Sequence, residues 1–397
     1  FRSLEGRLAE TARGQQEADR RFMQLALALG RRGLGRTCPN PAVGAVVVKD
    51  GLIVGRGWTQ PGGRPHAEPE ALKRAGQSAR GATLYVTLEP CSHTGRTGPC
   101  CQAVIRAGVV KVVVAMQDPN PRVSGQGLKQ FSEAGIEVVL AEQYAVESTK
   151  LNEPFIHYMN TELPLVTVKA AVTLDGKIAA PQNNEGWITS EIARQHVQTL
   201  RHEADAILTG IGTVLNDDCL LTDRSGKERS RPLLRIVLDS QLRLPRQSRM
   251  VRSIQDDLLV VGTSAALPER RQALEDLGVR VLIADDPNGR TDIRAVVAYL
   301  ADHRYLSLMV EAGSKVNWAF LDSTVADKIY FYYAPKILGG MESLPVAGGI
   351  GRRRRADALL LERVSLHPIS KDEFAVEAYV VKKNSSQSGE NPGTASN

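Results

Sequence analysis

Four residues in the first third of the chain combine metal-binding and proton-transfer chemistry at spacings that suit hydrolysis. His66 and Glu68 stand two apart in Pro65-His66-Ala67-Glu68, which reads as the start of a helix. Cys91 closes Thr87-Leu88-Glu89-Pro90-Cys91 at the end of a strand pattern, and Pro99-Cys100 opens another helix. A catalytic zinc takes three protein ligands and keeps a fourth position for water. One imidazole and two thiolates supply those three, with charge that matches the dication. Two of the ligands fall at helix N-termini, where the positive end of the dipole favours thiolate. Glu68 is close enough to His66 to reach a water at the metal without being a ligand, so it can take a proton there and return it to a departing amine. Cys100 and Cys101 point to different helix faces, so only one coordinates easily. By analogy with Pro90-Cys91 the ligand is Cys100, and Cys101 is left to core packing.

The order His-x-Glu, Pro-Cys, Cys is that of zinc nucleobase deaminases. A lone His-x-Glu reads as a surface helix start, and a lone buried cysteine as a small hydrophobe; together, at element ends and in this order, they favour the metal. Eight residues separate Cys91 from Cys100, and this insert, Ser92 to Pro99, is polar, basic and glycine-rich. Such a loop suits holding a substrate.

Elements that position these residues follow from periodicity. A helix pattern runs from Asp19 to Arg32, and two apolar runs flank Asp50-Gly51 as a hairpin. Helix Ala67–Ala75, strand Thr83–Leu88, a helix from Gly98-Pro99, strand Lys111–Met116, helix Gly127–Ala134 and strand Ile136–Leu140 complete one α/β layer set. A second α/β series starts at LVTVKAAVTL and ends at FAVEAYVVK, with a strand read over KIYFYYAPKIL. The expected organisation is a frayed leader over 1–17, a zinc domain over 18–162, a second domain over 163–383 and a disordered tail over 384–397.

Bulk properties exclude several classes. The 397 residues exceed one typical domain, and 42% hydrophobic with 24% charged residues is ordinary for globular protein. No secretory signal or membrane-length apolar run is read, so a cytoplasmic enzyme with no membrane partner is expected. Five cysteines, an odd number, argue against a disulfide framework. A net charge of +6 is mild for a nucleic-acid binder and equally suits a small phosphorylated substrate. The run Arg352 to Arg355 reads as a solvated loop.

Residues 37–46 (TCPNPAVGAV), the HAE, TLEPCSHTGRTGPC and Asp118-Pro119-Asn120-Pro121 together resemble the bifunctional riboflavin-biosynthesis deaminase–reductases, over nearly the whole chain between the tails. The resemblance implies a cytidine-deaminase-like three-layer αβα domain and a dihydrofolate-reductase-like α/β domain. It implies two reactions: removal of the 2-amino group of a diamino-pyrimidinone ribosylamine phosphate, then NADPH-dependent reduction of the ribosyl group to ribityl. It implies Asn40, His93, Arg96 and Thr97 as contacts to the first substrate, although Asn40 reads equally as a turn residue between prolines. A homo-oligomer, dimer or tetramer, is expected.

Without the resemblance the second half shows only glycine turns after strands, Gly210-Ile211-Gly212-Thr213 and Glu311-Ala312-Gly313-Ser314, where amides can approach phosphate. With it, Ala171, Trp187, Thr213, Asp217 and Gly313 are implied to contact NADPH, and Glu185, Arg201, Leu221, Arg224 and Glu311 to line the substrate pocket. Guanidinium forks at 201 and 224 suit a phosphate monoester. Cys219 and Ala312 depart from the family's usual proline and glycine. Two other readings compete: a cytidine or RNA deaminase with a degenerate second domain, disfavoured by the long insert, and a nucleic-acid-binding protein with structural zinc, supported only by the arginine run.

Overall fold

The structure, a computed structural model, describes residues 4–382 other than 94–97, 121–122 and 183–184, with side chains from residue 14 onward. The tail expected over 384–397 lies outside the described residues. Helix α1 (Leu4–Gly30) starts well before Asp19, so most of the expected frayed leader is its first half. The composition explains this, because Leu, Ala, Glu, Gln and Arg dominate residues 4–18 and all favour helix.

Strands β1 (Gly44–Lys49) and β2 (Leu52–Trp58) form the expected hairpin, with Asp50 and Gly51 at φ 49° and 74°. Then follow α2 (Ala67–Ala75), β3 (Thr83–Val86), α3 (Cys100–Arg106), β4 (Lys111–Val114), α4 (Gln126–Glu133), β5 (Glu137–Leu140), α5 (Ala145–Leu151) and α6 (Glu153–Thr161). The sheet order is β2-β1-β3-β4-β5, antiparallel up to β3 and parallel beyond it. Alternation along β1 builds the three layers. Val46 and Val48 pack with Phe22, Met23 and Leu27 of α1, while Ala45 and Val47 pack with Ala67, Ala71, Val104 and Phe131 of α2 to α4.

The second sheet is built from β6 (Leu165–Thr173), α7 (Glu191–Glu203), β8 (Ala206–Gly210), α8 (Ile211–Asp217), β9 (Leu234–Leu238), α9 (Arg249–Arg252), β10 (Leu258–Gly262), α10 (Pro268–Glu275) and β11 (Arg280–Ile283). It continues with α11 (Ile293–Asp302), β12 (Ser307–Val310), α12 (Ser314–Asp322), β13 (Lys328–Ala334), β15 (Leu361–Pro368) and β16 (Phe374–Val380). A separate short pair joins β7 (Lys177–Ala179) to β14 (Leu344–Pro345). The order is β11-β10-β9-β8-β12-β6-β13-β16-β15, parallel as far as β13 and antiparallel at β16 and β15. Strands β8, β9 and β10 are buried at every residue, as parallel strands covered on both faces must be.

Three sequence expectations change here. The strand expected to reach Leu338 stops at Ala334, and Gly210 to Thr213 is no free turn, because α8 starts at Ile211. The edge strand β15 was not expected, because its alternation is broken by Glu362, Arg363 and Ser365 where it irregularly pairs with β16.

The two sheets meet along a polar seam. Gly35 (φ 72°) lies so close to α7 that a Cβ there would stand 2.2 Å from the His202 carbonyl oxygen. Beside it Cys38 Sγ donates to Asp205 Oδ2 at 3.2 Å and accepts from Arg231 Nη2 at 3.4 Å, and Arg36 pairs with Glu228 at 2.9 Å. On the other side, Glu153 of α6 pairs with Lys328 at 2.7 Å and accepts from the Tyr379 hydroxyl. Lys328 also pairs with Glu377 at 2.6 Å.

Candidate active sites

Backbone contact decides where His66 sits. A Cβ on Gly57 of β2 would stand 2.1 Å from the Ala67 carbonyl oxygen, so the first turn of α2 lies directly on that strand. His66 is the residue before α2, in extended conformation, and Glu68 in the first turn is buried at 3% exposure. Cys91 follows the end of β3, and Cys100 opens α3 after Pro99.

These elements bring His66 Nδ1, Cys91 Sγ and Cys100 Sγ within 4.8 Å of one another. His66 Nδ1 is 3.2 Å from Cys100 Sγ and 3.7 Å from Cys91 Sγ, and the Cys100 N–H donates to Cys91 Sγ at 3.4 Å. Tetrahedral zinc with ordinary bond lengths sets such ligand atoms roughly 3.5–3.8 Å apart, so the set fits that ion. Cys101 turns away and donates to Gln130 Oε1 at 2.8 Å.

The electrostatics favour one thiolate before any cation is added. Hydrogen bonds from the Cys100 thiol, then from His66 and the Cys100 amide, hold Cys91 down to about 4 against the opposing effect of burial. Cys100 itself is pushed up, by donating to Cys91 and by burial, so the low thiol is not the one at the helix N-terminus. Burial pushes the Glu68 carboxyl up to about 7, with His66 opposing and Cys91 adding to the rise. Its carboxylate also shares a hydrogen bond with Cys100. A carboxyl near neutrality can both take and give a proton.

The remaining residues expected at this site are less gathered. Asn40 donates its amide to the Gly63 carbonyl at 3.1 Å, and His93 is exposed at the start of the insert. Arg96 and Thr97 lie outside the described residues.

The second site is an ion cluster at the carboxyl end of β12, beside the middle of β6, and open α/β sheets bind ligands at such strand ends. Register places Val168 of β6 beside Val310 of β12, so the next residues, Lys169 and Glu311, meet with Nζ 2.7 Å from Oε1. Arg201 from the last turn of α7 forks onto Glu311 Oε2 through Nε at 3.1 Å and Nη2 at 2.5 Å, and donates to the Thr222 carbonyl. Burial works against the charge on Glu311, but Lys169 and Arg201 hold it down to about 2. The guanidinium expected to grip phosphate is thus engaged with Glu311, and Arg224, whose side chain is exposed, is the more available of the two. The sequence reading did not single out Lys169. Its signal was a lysine inside an otherwise apolar strand, which is rarely buried unless paired.

Beside this cluster two helix N-termini are neighbours. Helix α8 starts from β8, α12 starts behind Gly313 at the end of β12, and a Cβ on Gly313 would be 4.0 Å from Thr213 Oγ1. Gly212 has nothing within 4 Å of its Cβ position. This open mouth lined by amides fits a dinucleotide's pyrophosphate. Ala171 is half-buried on β6, and Leu221 is buried with φ 51°. Trp187 is 70% exposed under the Arg194 guanidinium, 4.8 Å from its ring centre. Glu185 and Asp217 are exposed. Arg352 pairs with Asp322 and Arg354 with Asp357, on an exposed segment as expected of a solvated loop.

Comparison with known proteins covers both halves. Residues 16–116 match the cytidine and deoxycytidylate deaminase zinc-binding region, and residues 164–373 match the RibD C-terminal domain. The riboflavin biosynthesis protein RibD of Aquifex aeolicus is 41% identical over 90% of this chain and 97% of its own. That of Escherichia coli is 41% identical over 86% of this chain and 94% of its own. Among solved structures, Acinetobacter baumannii RibD superposes with a TM-score of 0.81 at 36% identity, covering 92% of this chain and 99% of its own. A Thermotoga maritima diaminohydroxyphosphoribosylaminopyrimidine deaminase/5-amino-6-(5-phosphoribosylamino)uracil reductase superposes at 0.77 with 35% identity, covering 92% of this chain and 100% of its own.

Proposed function

Since the chain belongs to the RibD family of riboflavin-biosynthesis proteins, we propose that it performs in sequence both of the reactions for which the Thermotoga relative is named. It is a bifunctional enzyme, a zinc-dependent deaminase joined to an NADPH-dependent reductase. The observation that carries the first half is the convergence of His66, Cys91 and Cys100 beside a buried carboxyl held near neutrality. A zinc ion held there supplies a Lewis acid that makes water nucleophilic at neutral pH. Glu68 accepts one proton from the attacking water and passes it to the ring nitrogen, then accepts the second from the resulting hydroxyl and passes it to the departing amine, so that a carbonyl forms and ammonia leaves. Asn40 and His93, with Arg96 and Thr97, hold the ring and ribose phosphate at the mouth.

In the second half NADPH supplies the hydride. Thr213 and the amides at Gly313 bind its pyrophosphate, and Trp187, Ala171 and Asp217 make the remaining contacts. Lys169 and Arg201 fix the Glu311 carboxylate, and two cations around one carboxylate leave a surplus positive charge that suits a phosphorylated substrate. Arg224, Leu221 and Glu185 complete that pocket. The step needs mainly alignment of nicotinamide and sugar carbon.

The reading is tested by supplying the ribosylaminopyrimidine phosphate with and without NADPH and a zinc chelator. Ammonia release should require zinc alone, and NADPH oxidation should follow it. Release of ammonia from cytidine but not from this substrate would overturn the assignment. The substrate is a small phosphorylated pyrimidine, not a nucleic acid. No described helix is long and apolar enough to cross a membrane, and five free cysteines suit the cytoplasm. We also propose a homo-oligomer, since edge strand β15 exposes Leu361, Val364 and Leu366. Light scattering giving a monomer mass would remove that part.

A further inference from the structure

We propose that Glu89 is a positioning residue for the metal centre, whose buried carboxylate binds the first turn of α4 and so keeps Cys91 and Cys100 at chelating separation. This rests on His66, Cys91 and Cys100 being the zinc ligands.

Glu89 is 3% exposed, and its partners are backbone amides. Its Oε2 accepts from the N–H groups of Asp118 at 3.1 Å and Gly125 at 2.9 Å. Its Oε1 accepts from Gly127 at 2.9 Å and Leu128 at 3.4 Å. These donors include the leading amides of α4, which lack carbonyl partners inside the helix and carry the positive end of its dipole. A carboxylate remote in sequence therefore caps this helix. Pro90 and the ligand Cys91 follow it directly in the chain.

The other thiol is tied to the same helix. Gln130 Oε1 accepts from Cys101 Sγ at 2.8 Å and from Gln102 Nε2 at 3.0 Å, which fixes the α3 turn bearing Cys100. The Cys101 N–H also donates to the Cys91 carbonyl at 3.2 Å. Helix α4 thus braces both cysteines, one through Glu89 and the other through Gln130. The fit has little slack, since a Cβ on Gly127 would stand 2.4 Å from the Pro90 carbonyl oxygen and 3.2 Å from Glu89 Oε1.

Charge, not only shape, is required at position 89. Each carboxylate oxygen accepts two N–H groups. A glutamine amide in either orientation would turn its NH2 against two donors. The isosteric substitution keeps the volume and loses the brace.

The experiment uses the full-length protein and measures zinc dissociation by competition with a chromophoric chelator, alongside thermal unfolding. Glu89→Gln and Gly127→Ala should each bind zinc about 10–100-fold more weakly. Reduction of supplied 5-amino-6-(5-phosphoribosylamino)uracil by NADPH should be unchanged in both. A folded Glu89→Gln protein with wild-type zinc affinity overturns the proposal, even if its melting temperature falls. Should that variant not fold, wild-type zinc affinity in Gly127→Ala does the same. Cys91→Ser is the control: if it retained zinc fully, the ligand assignment itself would be wrong, whatever Glu89 does.

Discussion

The two sites are assembled by opposite means. The candidate metal centre gathers His66 and Cys100 from the N-terminal ends of α2 and α3, and Cys91 from the loop that follows β3. The ion cluster draws Lys169, Arg201 and Glu311 from β6, α7 and β12, and strand register makes two of them meet. The metal centre depends on short-range loop geometry and on a second layer of backbone hydrogen bonds. The ion cluster depends on the whole sheet being in register. One is therefore sensitive to single ligands, while the other is sensitive to uncompensated charge.

That contrast sets the sizes of the expected effects. Glu68→Gln should lower kcat for ammonia release by about 10²–10⁴-fold, the usual span for losing a proton shuttle. Its zinc content and NADPH oxidation with supplied intermediate should not change. A parallel loss of reduction would show that the sites are not separable. Glu311→Gln should remove about 3–5 kcal/mol of stability by leaving two buried cations uncompensated. Urea unfolding would register this, and a loss below about 1 kcal/mol would mean that solvent screens the cluster.

Acid sharpens the same point. The Glu311 carboxyl lies at about 2 in the folded protein against 4.5 ordinarily. A depressed folded value means its contribution is fully present above 4.5 and fades as pH falls from there toward 2. Glu311→Gln should flatten that part of the stability profile, and an unchanged acid profile would contradict it. The smallest effect belongs to Cys101→Ala, which loses one hydrogen bond to Gln130, about 0.5–1.5 kcal/mol, and should keep full zinc stoichiometry. Loss of zinc there, with retention in Cys100→Ala, would exchange the two cysteines' roles.

Legibility in sequence followed the same division. His66, Glu68, Cys91 and the hairpin at Asp50-Gly51 were readable because local spacing and turn chemistry determine them. The choice of Cys100 over Cys101 rested on analogy, and the geometry that separates them involves Gln130 on another helix. Lys169 went unnoticed because its partner is remote in the chain and meets it only through sheet register. Arg201 is legible as a guanidinium that suits phosphate, whereas its engagement with Glu311 is a tertiary fact. The first half of helix α1 is hard to read in the sequence because a polar stretch gives no apolar stripe, although its helix propensity is high. Strand β15 escaped notice because an exposed edge needs no clean alternation.

The seam between the sheets bears on how this chain can be recombined with its relatives. Gly35 and Cys38 on one half are fitted to His202, Asp205 and Arg231 on the other, and Glu153 shares Lys328 with Glu377. A chimaera that took each half from a different homologue would have to import these residues as matched sets. A larger side chain at 35 would strike α7, and loss of Glu153 would leave Lys328 with one carboxylate fewer. Between Thr161 and Leu165 the polypeptide passes from the elements of one sheet to those of the other, and the matched residues across the seam keep this from being a joint at which parts can be exchanged freely.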